Sequence, residues 1–316
     1  MIAKSFTSTE DLAEKKVSFD QIGSGLYAST AEGDPNSGIV VGDGVMVVDA
    51  QATPAMADDV IARVAKVTDK PIKYVLLTHY HAVRVLGASA YKNAEILASD
   101  TTRGLIAERG QQDMDSEIGR FPRLFRAVES IPGLTWPTVT FPDQISVWLG
   151  RREVRIMHIG RGHTAGDVIA VVPDAGVVFS GDLVEYKSAC YCGDAHFTDW
   201  PVTLDNLAEM QAVALVPGRG AALTTPEMVA EGIALTSDFI STLYGSVSES
   251  VAKGRSLKDA FDFVRLAMDP KFKTFAIYEH CLPFNVARAY DEARGIEWPV
   301  IWTAERDREM WAALQG

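Results

Sequence analysis

Four short apolar runs in this chain each lead into a turn carrying histidine, aspartate or glycine, and that recurrence limits the folds open to it. The runs are residues 72–77, 153–159, 176–180 and 212–216. The turns are Thr78-His79-Tyr80-His81, Gly160-Arg161-Gly162-His163, Ser180-Gly181-Asp182 and Pro217-Gly218-Arg219-Gly220. Apolar runs of this length bounded by turn residues read as buried strands. The residues with reactive side chains therefore sit where strands give way to loops, with Asp182 in a turn at the end of its strand.

The rest of the pattern supplies a layered α/β chain. Gly25–Thr30, Ile39–Val41 and Val45–Asp49, separated by Asn36-Ser37-Gly38 and Gly42-Asp43-Gly44, read as a β-meander. Pro54 opens a helix with Met56, Val60, Ile61, Val64 and Val67 on one face, and Pro71 precedes the next strand. Ala94–Ala98 is a further strand, and Arg103–Ser130 is mostly helical, broken near Pro122, in an excursion suited to a lid or a dimer element. Residues 145–149, 153–159, 168–172 and 176–180 form a second meander, followed by a short helix over Leu204–Gln211. Thr225-Pro226-Glu227 is an N-cap signal, after which Met228–Ala252, Leu257–Met268 and Ala287–Arg294 read as helices. With no linker or repeat, one domain is expected.

Two histidines at i and i+2 beyond a strand end can reach one metal ion, and a third histidine from a glycine-bearing loop completes such a set. In order and spacing the four turns resemble the metallo-β-lactamase superfamily, whose pattern is HxHxDH, then GxGHTxGD, then SGD, then PGHG. The resemblance covers roughly residues 20–225, leaving a helical extension over about 226–316, and includes Asn36-Ser37-Gly38 and Asp49. It implies a four-layer αββα sandwich with extra C-terminal helices. It also implies that His79, His81 and His163 bind a first metal ion and that Asp182 is the bridging carboxylate.

This sequence departs from the pattern at one half of the site. Val83, Arg84 and Arg219 stand where all three remaining ligands of the second metal belong. Valine has no lone pair, and a guanidinium stays protonated and accepts nothing. One divalent ion is therefore expected, zinc first and iron as the alternative, with three imidazoles and an open position for hydrolytic chemistry. Asp182 is either a fourth ligand or the group that orients and deprotonates the attacking water. Arg84 and Arg219 either bind an anionic substrate or developing oxyanion, or plug the lost site by pairing with Asp182. Asp49 is placed to hydrogen-bond a ligand histidine and fix its tautomer.

Weaker candidates are read as structural. Tyr191-Cys192-Gly193-Asp194-Ala195-His196 contains possible ligands but fits better as surroundings of the site. His158 reads as structural, and Glu279-His280-Cys281 as packed or surface residues with a reach over the pocket as the alternative. Phe121, Phe125 and Trp136 read as helix-packing material, with the wall of an apolar substrate pocket as the alternative.

A net charge of −12 is the wrong sign for nucleic acid or an anionic membrane surface. No apolar run reaches the length of a spanning helix, and residues 1–20 lack a signal-peptide core, which reads as cytoplasmic. Three cysteines without a CxxC pair indicate reduced thiols. The expected activity is hydrolysis of a small, anionic ester, thioester, lactone or amide by hydroxide generated on one metal ion. The alternatives are an iron oxidoreductase resembling persulfide dioxygenases, using His79, His163 and Asp182, and a non-catalytic binder with a degenerate site. The helical appendages leave room for a homodimer.

Overall fold

A computed structural model describes residues 7–315. The first sheet orders its seven strands as in the sequence: β1 (Val17–Gly23), β2 (Leu26–Ala31), β3 (Asp34–Val41), β4 (Val45–Val48), β5 (Ile72–Leu76), β6 (Glu95–Ser99) and β7 (Val139–Phe141). Strands β1 to β4 pair antiparallel and β4 to β7 parallel. The second sheet contains β8 (Gln144–Leu149), β9 (Arg152–Met157), β10 (Ile169–Val172), β11 (Val177–Glu185) and β12 (Ala214–Arg219), in the spatial order β12-β11-β10-β9-β8.

Successive strand residues point to opposite faces, and both faces of each sheet are covered, which is why these strands read as unbroken apolar runs. Met46, Val48, Leu76 and Leu97 face inward and meet Val177, Phe179, Ala214 and Val216 between the sheets. Their neighbours Val45, Val47, Val75 and Ile96 face outward. They pack under α1 (Pro54–Val64) and α3 (Asp100–Arg120) through Val60, Val64, Leu105 and Ile106. On the far side, Val178, Leu183 and Leu215 pack under α4 (Trp200–Ala208), α5 (Pro226–Ala252), α6 (Leu257–Phe272) and α7 (Tyr278–Ala293). The result is the expected αββα sandwich with additional C-terminal helices. Thr53 and Thr225 cap α1 and α5 by accepting from Met56 N and Met228 N, each with proline in the first turn.

The structure shifts several boundaries, and β12, expected to end at residue 216, runs on to Arg219, which therefore lies within a strand rather than in a turn. Strand β11 does not stop at residue 180 but runs to Glu185, so Asp182 lies within a strand rather than in a turn. Gly181, at φ +53°, absorbs the register shift against β12 that a side-chain-bearing residue would resist. The excursion expected as one broken helix is α3 followed by two short 3₁₀ turns, Pro122–Phe125 and Val128–Ser130. The last expected helix starts earlier, at Tyr278, because Pro283 removes only one backbone N–H and does not break α7. A final helix, α8 (Ala304–Gln315), was not foreseen. No described helix is long and apolar enough to cross a membrane.

Candidate metal centre and its cavity

Strand β5 delivers Thr78 and His79, and His81 then sits at the N-cap of the single-turn helix α2 (Ala82–Val85). His163 comes from the loop between β9 and β10. That loop is pinned by Asp167, which accepts from Thr164 N at 2.8 Å and Thr164 Oγ1 at 2.6 Å. His158 is structural as expected: its Nδ1 donates to Asp167 O at 2.7 Å.

The three histidines converge. One ring nitrogen of each lies within 4.8 Å of the others, and among the described residues this is the one such group of candidate ligands. All three are buried. His81 Nδ1 and His163 Nε2 face each other at 2.9 Å. Asp182 Oδ2 stands 3.6 Å from His163 Nε2 and 3.8 Å from His79 Nε2.

The surroundings fix which nitrogen carries a lone pair. Thr78 Oγ1 donates to Asp49, 2.9 Å away, and therefore accepts from His79 Nδ1 at 3.0 Å. His79 Nε2 is left bare, buried and without a hydrogen-bond partner. Asp49 thus reaches the imidazole through Thr78 rather than by the direct bond expected. Its left-handed backbone, φ 65°, is held by the bonds from Thr78 and by Ser37 Oγ donating to Asp49 O at 2.7 Å. His81 donates Nε2–H to Asp194 Oδ2 at 3.2 Å, which turns Nδ1 inward. Arg109 holds the other oxygen of Asp194, also at 3.2 Å.

Electrostatics follow from these partners. Burial pushes His79 well below the usual histidine range and His163 down to about 3, so both are neutral at physiological pH. Burial also disfavours a charge on His81, but the bond to Asp194 and the nearby Asp113 carry it up to about 9. Burial alone would raise Asp182, yet Arg84 foremost and the histidines next hold it well below the carboxylate range.

These donors fit a metal ion. Three imidazole nitrogens with a carboxylate along one edge is a set that divalent transition metals accept. A bare, buried, unpartnered His79 Nε2 costs roughly 1–3 kcal/mol unless something takes its lone pair.

The other half of the site is built differently. Arg84 is fully buried and donates to Asp182 Oδ1, to Asn36 O at 3.0 Å and to Gly218 O at 2.8 Å. The chain passes so close here that a Cβ on Gly218 would lie 2.1 Å from Asp182 Oδ1. Arg219 donates to Gly33 O at 2.8 Å and stands 3.7 Å from Glu185 Oε1. Glu185 was not singled out from sequence. Both its carboxylate oxygens are buried and unpartnered, and burial pushes its pKa well up.

A small cavity of about 20 Å³, partly open to solvent, lies beside His81. His81, Val83, Asp182 and Arg219 form its floor, whereas Arg84 does not line it. Its walls come from Tyr191 after β11, expected among the surroundings of the site, and from residues for which packing was the first reading: Phe121 and Phe125 after α3, and His280 and Cys281 in the first turn of α7. Glu279 turns away to an ion pair with Arg265, and Trp136 is exposed beneath Arg103. Within the stretch 191–196, Asp194 orients His81, Tyr191 lines the cavity, and His196 lies apart beside Trp298. Nothing in the spacing from Ser180-Gly181-Asp182 to Asp194 signals this, because the loop closes only through α7. There, Asn285 bonds Cys190 O and Cys192 N, each at 2.7 Å, and Arg288 bonds Ala195 O at 2.8 Å.

Comparison with known proteins agrees with this architecture. A linear primary-alkylsulfatase from Pseudomonas sp. (strain ATCC 19151) is 23% identical over 261 residues, 71% of this chain. The match takes in 48% of that relative, so the chain spans about half its length. A type 2 metallo-beta-lactamase from Bacillus sp. (strain 170) is 24% identical over 65% of this chain and 76% of its own. The solved structure of a metallo-beta-lactamase from Pontibacter korlensis superposes with a TM-score of 0.57 at 20% identity, over 70% of this chain and 99% of that one. The family model described as the metallo-beta-lactamase superfamily matches residues 31–219, three-fifths of the sequence and all four motif turns, and the chain belongs to that superfamily.

Proposed function

We propose that this protein is a metal-dependent hydrolase of a small, anionic ester, thioester, lactone or amide, working with a single divalent ion held by His79, His81 and His163. The observation that carries the reading is the convergence of three imidazole ring nitrogens beside Asp182 Oδ2 while Arg84 fills the neighbouring position. A divalent ion in that set supplies Lewis acidity and lowers the pKa of water toward neutrality.

Asp182 serves as the fourth ligand rather than as a base. A carboxylate held so far below neutrality takes a proton poorly, and its Oδ2 lies along the triad's edge. Arg84 is a positioning residue that keeps Asp182 ionised and turned toward the histidines. Arg219, on the cavity floor, offers a fixed cation to an anionic substrate or a developing oxyanion. The alkylsulfatase among the relatives, whose name specifies an anionic substrate, supports an anion-accepting site.

Elemental analysis of the purified protein, paired with hydrolysis of chromogenic esters and thioesters, tests the reading. About one equivalent of zinc with turnover that chelation abolishes is the expected result. Less than roughly a tenth of an equivalent of any transition metal after reconstitution overturns it. Iron with oxygen uptake assigns the site to oxidation instead.

A further inference from the structure

The cavity contains a second cation that the hydrolytic reading does not use. Arg120, the last residue of α3, is 2% exposed and lines the same cavity as His81 and Arg219. Its guanidinium packs against the rings of both Tyr191 and Phe284, 4.8 and 4.2 Å from their centroids, which restricts its orientation. Nη2 is used, donating to Tyr191 Oη at 2.9 Å and Glu117 Oε1 at 3.3 Å. Nε and Nη1 have no hydrogen-bond partner. Of the five N–H bonds of an arginine, the three on these two nitrogens are thus buried and unspent.

Neighbouring acids do not satisfy them. Asp307 Oδ1 stands 3.8 Å from Nη1, beyond hydrogen-bond reach, and its other oxygen accepts from Ser116 Oγ at 2.6 Å. Glu117 Oε2 and Asp307 Oδ1 are the acceptors left over, two against three donors, and neither is hydrogen-bonded to Arg120. Tyr191, having accepted from Arg120, keeps its own O–H proton to give. A donor-rich, preorganised cation beside the apolar side chains of Leu124, Phe125 and Ile277 suits an acceptor-rich group on a short apolar arm. Ile277 holds a left-handed backbone, φ 56°, uncommon for a β-branched residue, to present that wall.

We propose that Arg120, with Tyr191, seats a compact oxyanion, such as a carboxylate, carried by the substrate on the arm remote from the bond that is cleaved. The assignment of that anion to a substrate rests on the hydrolase reading above; the anion seat itself does not.

The test is calorimetric titration of the metal-loaded protein with glutarate and with its uncharged diamide, alongside turnover of 4-nitrophenyl hydrogen glutarate and 4-nitrophenyl pentanoate. Glutarate binds at least about tenfold more tightly than glutaramide, and Arg120→Gln erases the difference. In Arg120→Gln, KM rises for the charged ester alone, while Arg120→Lys restores part of the glutarate affinity. Equal affinity for glutarate and glutaramide in the wild-type protein overturns the seat without recourse to a variant that must fold. An undiminished glutarate preference in Arg120→Gln, at unchanged metal content, overturns it as well. If glutarate binds through Arg120 but neither ester is cleaved, the seat stands and the hydrolase reading fails. If acetate binds as tightly as glutarate and leaves the charged ester's KM unchanged, the seat serves a free anion and its assignment to the substrate is overturned.

Discussion

Arg84 and Arg219 replace two histidines of the same lost metal site, yet the fold treats them differently. Arg84 is fully buried, with donors given to Asp182, Asn36 and Gly218, and it has no face on the cavity. Arg219 lines the cavity, gives one bond to Gly33 O, and keeps a buried Nε without a partner. The difference lies in the carboxylate each one meets. Asp182 is held ionised between Arg84 and the histidines, whereas burial drives Glu185 toward its neutral form. On the proposed reading, Arg84 does structural work that an ion would otherwise do, and Arg219 keeps its charge for a ligand.

Replacing a histidine of the intact half has the largest expected effect. His163→Ala loses stoichiometric metal by elemental analysis and ester hydrolysis with it; a full equivalent retained would show that the triad is not the metal's seat. Next is Arg84→Met, which strands the Asp182 carboxylate in the interior and destabilises the metal-free protein by about 3–5 kcal/mol in urea unfolding. A loss below about 1 kcal/mol would mean that Arg84 is not the plug. Asp194→Ala removes the acceptor that turns His81 Nδ1 inward and weakens metal binding by roughly 10–100-fold in competition with a chelating dye. Arg219→Gln has the smallest effect on stability, about 1 kcal/mol, because Glu185 can stay protonated when its neighbour is gone. Its consequence appears in KM for anionic esters. Unaltered kinetics there would make both arginines plugs and abolish the contrast.

What the sequence disclosed depended on distance along the chain. The triad was legible because each histidine sits a residue or two from the strand or glycine that positions it, so local pattern and function coincide. The lost half was legible for the same reason, since Val83 and Arg84 follow directly on His81. Asp182 was recognised but misplaced, because the bulge at Gly181 depends on pairing with β12. The cavity walls were legible only in part, Tyr191 as surroundings of the site and Phe121, Phe125, His280 and Cys281 as second readings, while Arg120 was not singled out. Arg120, Tyr191 and His280 come from three separate elements, and no spacing rule links them before the chain has folded. Asn285 and Arg288 likewise look like ordinary helix residues until α7 is seen gripping the loop that carries Asp194.

That grip gives α7 a reach beyond its place in the chain. The helix lies outside residues 31–219, where the superfamily match falls, yet it supplies His280 and Cys281 to the cavity and steadies the loop behind His81. The cavity wall therefore draws on two stretches of polypeptide, Arg120, Phe125 and Tyr191 from within the matched residues and Ile277, His280 and Cys281 from beyond them. Grafting or redesigning the first turns of α7 offers a way to change what the protein accepts while leaving untouched the residues that would perform the reaction.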